Sequence, residues 1–375
     1  MRFVSRGLLA LVALVSFSAS APAAAQSVSQ ALSAIPLREV GPAAVGGRIA
    51  DIAVNPLDKS TWYVAVGSGG LWKTTNAGTT WVPVFDEQKS FSIGTVALDP
   101  SNPDVVWVGT GENVSGRHVG WGSGIYVSRD AGKTWEHKGL EGSEHIGKIL
   151  MHRDYPGSLI VAAEGPLWSA GGQRGLFRTS DDGDTWEQIL EIDEHTGVTD
   201  VEIDPSDPKT LYAAAFQRRR HVWGYMGGGS GSGIYKSTDG GDSWREITTG
   251  LPSGDIGKIG IAVTPANADL VYATIEATDG EQGFYRSTDK GESWERRNGY
   301  ISGGTGPHYY QEIEASPTEE DIVIQMDVFY QITTDGGASF DNLGTGREKH
   351  SDNHALWIDP DNTLHMLSGT DAGLY

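Results

Sequence analysis

One eight-residue motif recurs six times along this chain and constrains its fold more than any other feature. The motif reads S/T-x-D-x-G-x-S/T-W, and its copies end at Trp81, Trp135, Trp186, Trp244, Trp294 and Phe340. These final aromatic residues are 54, 51, 58, 50 and 46 residues apart. Repetition at a period near fifty residues is typical of architectures built from similar units that stack on one another.

A second pattern alternates with the first and supplies the strands of each unit. A run of β-branched and aromatic residues ends in a turn, usually at proline, and a second such run follows. Its seven copies begin with Ile49–Pro56, Thr95–Pro100, Ile149–Tyr155, Asp200–Pro205, Ile259–Pro265, Gln311–Pro317 and His354–Pro360. Each unit therefore contains four short strands, and helix signals are absent. The sequence predicts an all-β chain, folded as a β-propeller of about seven four-stranded blades.

The acidic position of the eight-residue motif has a structural explanation. Asp, Ser and Thr side chains can satisfy backbone groups inside a turn, and the glycine can take a positive φ. The aromatic residue then begins the next strand and supplies a large buried surface. We therefore expect a structural role, rather than catalysis, for Asn76, Asp130, Asp181, Asp239, Asp289 and Asp335.

The start of the chain has the features of an export signal. Two arginines precede an apolar run at residues 7–17, and Ala23-Ala24-Ala25 forms a cleavage site. We expect residues 1–25 to be removed and residues 26–375 to be periplasmic or extracellular. No later apolar stretch is long enough to predict a transmembrane segment.

The seventh unit stops at the beginning of its third strand. Gly373-Leu374-Tyr375 matches the start of that strand in earlier units, and a seventh copy of the eight-residue motif would come next. We expect six complete repeats and a partial seventh. We also expect this chain to be the N-terminal part of a longer protein.

The charge and the cysteine count exclude several classes of function. The chain has 28 Lys and Arg residues against 49 Asp and Glu residues, a formal net charge of −21. Such a charge disfavours nucleic acid as a partner. The absence of cysteine excludes disulfide bonds, thiolate metal sites and a cysteine nucleophile.

Further segments accompany the repeats and carry a resemblance to a known family. They are Arg38–Pro42, Gly46–Ile49, Gly69–Thr75, Gly109–Glu112 and His354–Pro360. With them, residues 36–375 resemble exported bacterial propeller proteins with Asp-box (BNR) repeats and a sortilin N-terminal-type domain, often named glycosyl hydrolases. The resemblance implies the fold but leaves the function open, because sialidases, xyloglucanases, sortilin receptors and photosystem assembly factors share these boxes.

The enzyme signatures of those families are present only in part. The Arg-Ile-Pro of sialidases becomes Arg48-Ile49-Ala50 here, and Gly67 occupies the position of a catalytic Asp in xyloglucanases. Asp371 lies in a segment that resembles the xyloglucanase motif, but in the seventh blade. The resemblance would place its partner acid on another propeller, outside this chain.

Irregular loops follow the second and fourth strands of each unit. An up-and-down blade places both kinds of loop at one end, so we expect a loop-rich face that binds a ligand. The arginines among them suit a carboxylate or sulfate group; alternatively, they pair with neighbouring acids. The candidate binding residues are Arg117, His118, Trp121, Trp168, Arg174, Arg218, His221, Trp223, His308 and Tyr309.

Two constellations of loop residues suggest chemistry. Carboxylates of Glu112, Glu164 and Asp371 come from separate blades and would cleave a glycosidic bond if two of them converged; otherwise they are solvated loop acids. His350, Asp352 and His354 alternate along an extended segment, which suits Zn²⁺ or a similar ion, or else hydrogen bonding within the loop. A divalent metal is the only cofactor suggested.

Two functions remain open from the sequence. The first is an exported binding module for a peptide, protein or glycan, acting through the loop-rich face. The alternative is a glycoside hydrolase, xyloglucanase-like or sialidase-like, that uses loop carboxylates. We favour the binding module, and whether the chain is an enzyme is left undecided.

Overall fold

The computed structural model describes residues 47–152, 155–301, 306, 308–310, 312–344 and 349–375. All of them belong to one compact unit, Gly41–Tyr375. The expected signal peptide at residues 1–25 lies outside the described residues. No helix in the described part of the chain is long and apolar enough to cross a membrane.

Seven antiparallel sheets form the blades of the propeller, in the order in which the repeats occur. Blade 1 contains β1 (Ile49–Val54), β2 (Trp62–Val66), β3 (Gly70–Thr74) and β4 (Val82–Pro83). Blade 2 contains β5 (Ile93–Leu98), β6 (Val106–Thr110), β7 (Ile125–Ser128) and β8 (Glu136–His137). Blade 3 contains β9 (Ile146–Met151), β10 (Leu159–Ala163), β11 (Gly175–Thr179) and β12 (Glu187–Leu190). The expected fold class is therefore confirmed.

The remaining blades follow the same up-and-down order. Blade 4 contains β13 (Thr196–Asp204), β14 (Asp207–Arg220), β15 (Tyr225–Gly227), β16 (Gly233–Ser237) and β17 (Arg245–Ile247). Blade 5 contains β18 (Ile256–Val263), β19 (Val271–Ala277), β20 (Gly283–Ser287) and β21 (Glu295–Asn298), and blade 6 contains β22 (Ile313–Ala315), β23 (Val323–Gln325), β24 (Gln331–Thr333) and β25 (Asp341–Asn342). Blade 7 contains β26 (Asn353–Ile358), β27 (Met366–Thr370) and β28 (Gly373–Leu374). The seventh blade has three strands.

The fourth blade departs from the pattern in a way that shapes the loop-rich face. Its second strand, β14, continues past the sheet for three residues that pair with β15 instead of β16. The result is a hairpin that projects beyond the blade. The sequence pattern predicts an irregular loop at these residues instead.

The repeated turns are built as the motif chemistry predicts. In the second blade, Asp130 Oδ1 accepts hydrogen bonds from the backbone N–H groups of Lys133 and Thr134, at 3.0 and 2.8 Å. Its Oδ2 accepts one from the Thr134 hydroxyl at 2.7 Å. Gly132 has φ +88°, a backbone conformation that is strained for any residue with a side chain. The carboxylate therefore replaces the backbone bonds that the turn interrupts.

The first copy shows why asparagine can replace aspartate. Asn76 Oδ1 accepts a hydrogen bond from the Thr80 N–H at 2.9 Å, and its Nδ2 donates to the Thr80 hydroxyl at 2.9 Å. The hydroxyl thus changes from donor to acceptor, and the turn keeps both contacts.

Packing between neighbouring blades forms the core and closes the ring. The indole N–H of Trp135 donates to the Val84 carbonyl of the previous blade at 2.6 Å. Ile49 of the first blade packs in one cluster with Ala355 and Leu367 of the seventh. Lys59 adds ion pairs with Asp359 and Asp361 at 2.5 and 2.6 Å across the same seam. The first strands of the blades surround a central channel of about 460 Å³.

Candidate functional site

A cluster of charged side chains joins three blades where the loop-rich face meets the central channel. Arg48, which precedes β1, donates from Nε to Asp371 Oδ1 at 3.0 Å and from Nη1 to Glu112 Oε1 at 2.8 Å. His354 Nε2 lies 3.0 Å from the same Asp371 oxygen. We call Arg48, Glu112, His354 and Asp371 the mouth cluster, because His354 lines the channel.

The mouth cluster keeps Asp371 ionised. Burial alone would raise the pKa of Asp371, but the hydrogen bond from His354 and the charge of Arg48 outweigh it and lower that pKa to about 2. For His354 to donate to Asp371, its proton must lie on Nε2. The nearby Arg48 Nε, 3.3 Å from that nitrogen, then donates to the carboxylate instead. Asp371 can therefore act as a base, a nucleophile or an anionic ligand, but not as a proton donor.

The two carboxylates of the mouth cluster differ in access. The Asp371 side chain is 40% exposed, whereas that of Glu112 is 6% exposed. Both oxygens of Glu112 are engaged, one by Arg48 and the other by the Gly120 N–H at 3.2 Å. Glu112 Oε1 also lies 2.6 Å from where a Cβ at Gly67 would be placed. Glu112 thus fills the space beside Gly67 and positions Arg48.

The third expected catalytic residue, Glu164, lies outside the mouth cluster. Its Oε2 pairs with Arg218 Nη1 at 2.7 Å, and both side chains are almost fully buried. Burial raises the pKa of Glu164, and the Arg218 charge opposes that shift. A carboxylate so enclosed has no access to a polymer on the face, so the structure favours a structural role for Glu164.

The expected basic patch is buried and therefore does not form a surface site. Arg174 donates to the carbonyls of Glu164, Pro166, Ser169, Gly171 and His195. Arg218 and Arg220 bond to Ser115 from beneath its loop. The reason is the extension of β14: residues two apart share one side of a strand, and that side faces the loop of the second blade. Of the expected arginines, Arg117 is exposed.

The expected tryptophans are exposed on the loops. The side chains of Trp121, Trp168 and Trp223 are 66%, 37% and 85% exposed. Trp223 lies at the tip of the projecting hairpin and stacks on His221, with ring centroids 4.6 Å apart. His118 is also exposed.

Two further exposed aromatic residues on loops of the same face, Phe91 and Phe329, were missed by the sequence analysis. Each stands two residues before a strand, β5 and β24 respectively. A large aromatic residue in a loop segment just outside a strand is the signal that could have identified them.

His308 and Tyr309 connect these loops to the mouth cluster. The Arg48 guanidinium lies 5.3 Å from the centroid of the Tyr309 ring. His308 contacts both Tyr309 and Tyr225, at ring centroid distances of 4.6 and 5.3 Å. Burial, with the charges of Arg220 and Lys258, lowers the pKa of His308. A neutral aromatic pair therefore borders the exposed side of Arg48.

The expected metal ligands do not come together. His350 Nδ1 contacts the Ser351 carbonyl, Asp352 accepts from Tyr310 and Ser351, and His354 contacts Asp371. Within the described ranges, no group of three or more His, Asp or Glu side chains is arranged to hold a metal ion. The alternation of the three residues along the segment is broken by a bulge between Asn353 and Ala355 in the pairing of β26 with β27. These three residues therefore form hydrogen bonds with neighbouring groups, which was the alternative to a metal site.

Comparisons with known proteins point to two groups of relatives. The family model described as Sortilin, neurotensin receptor 3, matches residues 123–250. The chain is 25% identical over 247 residues to the oligoxyloglucan-reducing end-specific xyloglucanase of Emericella nidulans, covering 64% of this chain and 28% of that protein. It is 26% identical over 273 residues to the xyloglucanase Xgh74A of Acetivibrio thermocellus, covering 67% of this chain and 31% of that protein. This chain therefore spans about a third or less of the length of these relatives.

Solved structures agree on the fold. The GH74 xyloglucanase of Xanthomonas campestris superposes with a TM-score of 0.64 at 15% identity, over 88% of this chain and 52% of that one. YCF48 bound to D1 peptide superposes with a TM-score of 0.56 at 13% identity, over 88% of this chain and 92% of that one. At such identities the likeness establishes the propeller and nothing finer.

Proposed function

We propose that this chain is part of a glycoside hydrolase that binds a xyloglucan-like β-glucan on its loop-rich face, with Asp371 as the ionised catalytic carboxylate. The observation that carries the proposal is the mouth cluster: a partly exposed carboxylate held by Arg48 and His354 at 3.0 Å each. The xyloglucanase relatives support this choice over the binding module without catalysis.

We assign only half of the acid–base chemistry to this chain. Glycoside cleavage needs one ionised carboxylate and one carboxylic acid that protonates the leaving oxygen. Asp371 suits the first role, because its pKa is about 2. Glu112 does not suit the second, since both of its oxygens already accept hydrogen bonds and its side chain is 6% exposed. We therefore do not assign the general acid to Glu112.

The loop-rich face suits a neutral polymer. Flat aromatic rings stack on sugar rings, and Trp121, Trp168 and Trp223 present such rings on three blades. The arginines Arg174 and Arg218, which would attract a sulfated or carboxylated chain, are buried and bonded within the protein. Arg117 alone of the expected arginines is exposed, and on a protein of net charge −21 this favours an uncharged glucan.

Binding of xyloglucan oligosaccharides to this chain tests the proposal. In isothermal titration calorimetry, Trp121→Ala, Trp168→Ala and Trp223→Ala should each weaken binding about tenfold, which is the contribution of one stacking contact. Tyr155→Ala is the matched control, since Tyr155 is an exposed aromatic residue at a turn on the opposite face. Equal losses in the control and the tryptophan variants, or no binding of any β-glucan, would refute the proposal.

Peptide binding is the second candidate. It is supported by the exposed apolar tip of the projecting hairpin, where Val222 and Trp223 are 91% and 85% exposed. The structural neighbour YCF48 is described as bound to a peptide. Competition separates the two candidates: a glucan-binding face should release its oligosaccharide to other β-glucans and not to a hydrophobic peptide mixture.

We also propose that the protein is exported. The proposal rests on the basic and apolar pattern of residues 1–25. N-terminal sequencing of the protein recovered from its natural host should give a mature chain that begins at Gln26. Recovery of an intact Met1 in the cytoplasm would refute it.

A further inference from the structure

The central channel contains a group of charged side chains that the mouth cluster does not use. Five acids lie on the first strands of three blades or at the edges of those strands, and two lysines lie on the first strands of two others. We call them the channel belt: Asp51, Lys148, Asp200, Glu202, Lys258, Glu312 and Glu314. Asp51, Asp200 and Glu312 each stand five residues before the proline of their turn, and Glu202 and Glu314 stand three before it. Equal spacing from the turn places them at matching heights in the channel.

The two lysines show how the channel belt holds an ammonium group. Lys148 Nζ lies 2.6 Å from Glu202 and 3.1 Å from Asp200. Lys258 Nζ lies 2.7 Å from Glu312. Each ammonium is thus bound by carboxylate oxygens of a neighbouring blade at hydrogen-bond distance. Because there are five acids and two lysines, the belt is short of positive charge.

Glu314 is the acid of the channel belt whose pKa this shortage of positive charge affects most. It forms no ion pair with any described residue. Burial raises its pKa to about 8; Lys148 opposes the shift, and the charges of Glu202, Asp200 and Asp51 add to it. A buried carboxyl group keeps its proton near neutral pH when no positive charge is close enough to stabilise its ionised form.

Polar atoms in the same channel wall lack partners, which is an observation independent of charge. His354 lines the channel, is 5% exposed, and its Nδ1 has no hydrogen-bond partner among the described residues. Glu312 Oε2 also lacks a hydrogen-bond partner there and is shielded from solvent, whereas Asp200 Oδ1 contacts the Lys148 ammonium. Buried polar groups in proteins are normally satisfied, so these atoms indicate a group that donates hydrogen bonds inside the channel.

We propose that the channel belt is a binding site for the primary ammonium group of a linear aliphatic amine. The site offers carboxylate oxygens at the distances that Lys148 and Lys258 already use, and the channel has about 460 Å³ of space. A metal ion fits less well, because no three acidic or imidazole groups among the described residues converge as ligands. Binding places the ammonium beside Glu314, which gives up its proton to solvent.

Calorimetric titration with 1,5-diaminopentane tests the site. We expect saturable binding, weakened at least about tenfold by Glu314→Gln or Asp200→Asn, since each removes one charge-assisted contact. Glu191→Gln, which removes an exposed acid outside the channel belt, should leave the affinity unchanged. Glutamine and asparagine keep the volume of the residue that they replace, so each variant should fold. Thermal unfolding of each variant checks this.

Two reference ligands decide between a built site and a merely acidic channel. Tetramethylammonium carries the charge without an N–H donor, and Mg²⁺ carries more charge on an ion that keeps its waters and requires octahedral oxygen ligands. Neither should compete with the diamine at matched ionic strength. Equal binding of either, unchanged diamine binding in the Glu314→Gln variant, or no binding would overturn the proposal. None of these results bears on the binding of sugars, so the two proposals fail separately.

Discussion

The two faces of the propeller hold their carboxylates in opposite ways. On the turn face, the Asp239 side chain is exposed and its pKa falls to about 2 because Ser243 and the turn backbone donate hydrogen bonds to it. At the loop-rich face, Asp371 reaches a similar pKa against the effect of burial, through His354 of its own blade and Arg48 of the next. The first arrangement is complete within eight residues, whereas the second exists only when the ring is closed.

This difference teaches what each face can do. A carboxylate satisfied by its own turn stabilises that turn and has little left to offer a ligand. A carboxylate fixed by distant side chains stands in a prepared position, and residues from several blades can adjust it. Acidic residues of the same type therefore serve architecture on one face and are available for chemistry on the other.

The largest stability effect is expected from the buried ion pair beneath the loop-rich face. Arg218→Ala leaves Glu164 buried without its partner and should lower the free energy of unfolding by about 3–5 kcal/mol. Arg117→Ala, at an exposed arginine of the same face, should change it by less than about 0.5 kcal/mol. Urea denaturation measures both. Similar values for the two variants would contradict the structural role given to Arg218.

A smaller effect, with a size that depends on pH, is expected at Glu314. Its pKa is raised from 4.5 to about 8 in the folded protein, so the wild-type protein loses stability as pH rises through that window. Glutamine has no proton to lose, so the free energy of unfolding of Glu314→Gln, relative to that of the wild type, should rise by about 1–3 kcal/mol from pH ~4 to pH ~8.5. Thermal unfolding at both pH values measures the gain. A constant difference between the two proteins would show that Glu314 titrates normally.

The turn face should show modest and purely local effects. Asp289→Ala removes the bonds to Ser293 and should lower the free energy of unfolding by about 1 kcal/mol. Asp289→Asn should lower it by less, because Asn76 makes the equivalent contacts in the first blade. Neither substitution should change oligosaccharide binding in calorimetry. A loss of binding in either would mean that the two faces are coupled.

The smallest stability effect is expected at the projecting hairpin. Trp223 is 85% exposed, so Trp223→Ala should change the free energy of unfolding by less than about 0.5 kcal/mol while it weakens ligand binding. Denaturation and calorimetry on the same preparation separate the two quantities. A large loss of stability would show that Trp223 packs against the protein instead of facing a ligand.

The sequence predicted the parts of this molecule that depend on neighbours in the chain. The eight-residue motif and the proline turns predicted the blades, because both are local devices with a fixed period. The joint placement of Glu112 and Asp371 could not be predicted in the same way, since it depends on Arg48, which comes from a third blade and reaches both.

The misassignments have one physical origin each. Arg218 was expected on the surface, but β14 runs three residues beyond its blade and turns that side chain inward. The metal ligands were expected on one side of an extended segment, but each side chain has a different partner. The channel belt was missed because each of its acids, taken alone, is an ordinary polar residue of a strand, and only the closed ring brings them together.

The central claim is that Asp371 performs chemistry and does not merely bridge two blades. The most direct test is the rate at which the full natural protein hydrolyses xyloglucan, measured for the wild type and for Asp371→Asn. The rate should fall at least about a hundredfold while oligosaccharide affinity and thermal stability change little, since the amide keeps the shape but cannot accept a proton or attack. An unchanged rate, or a loss that follows unfolding of the variant, would contradict the account.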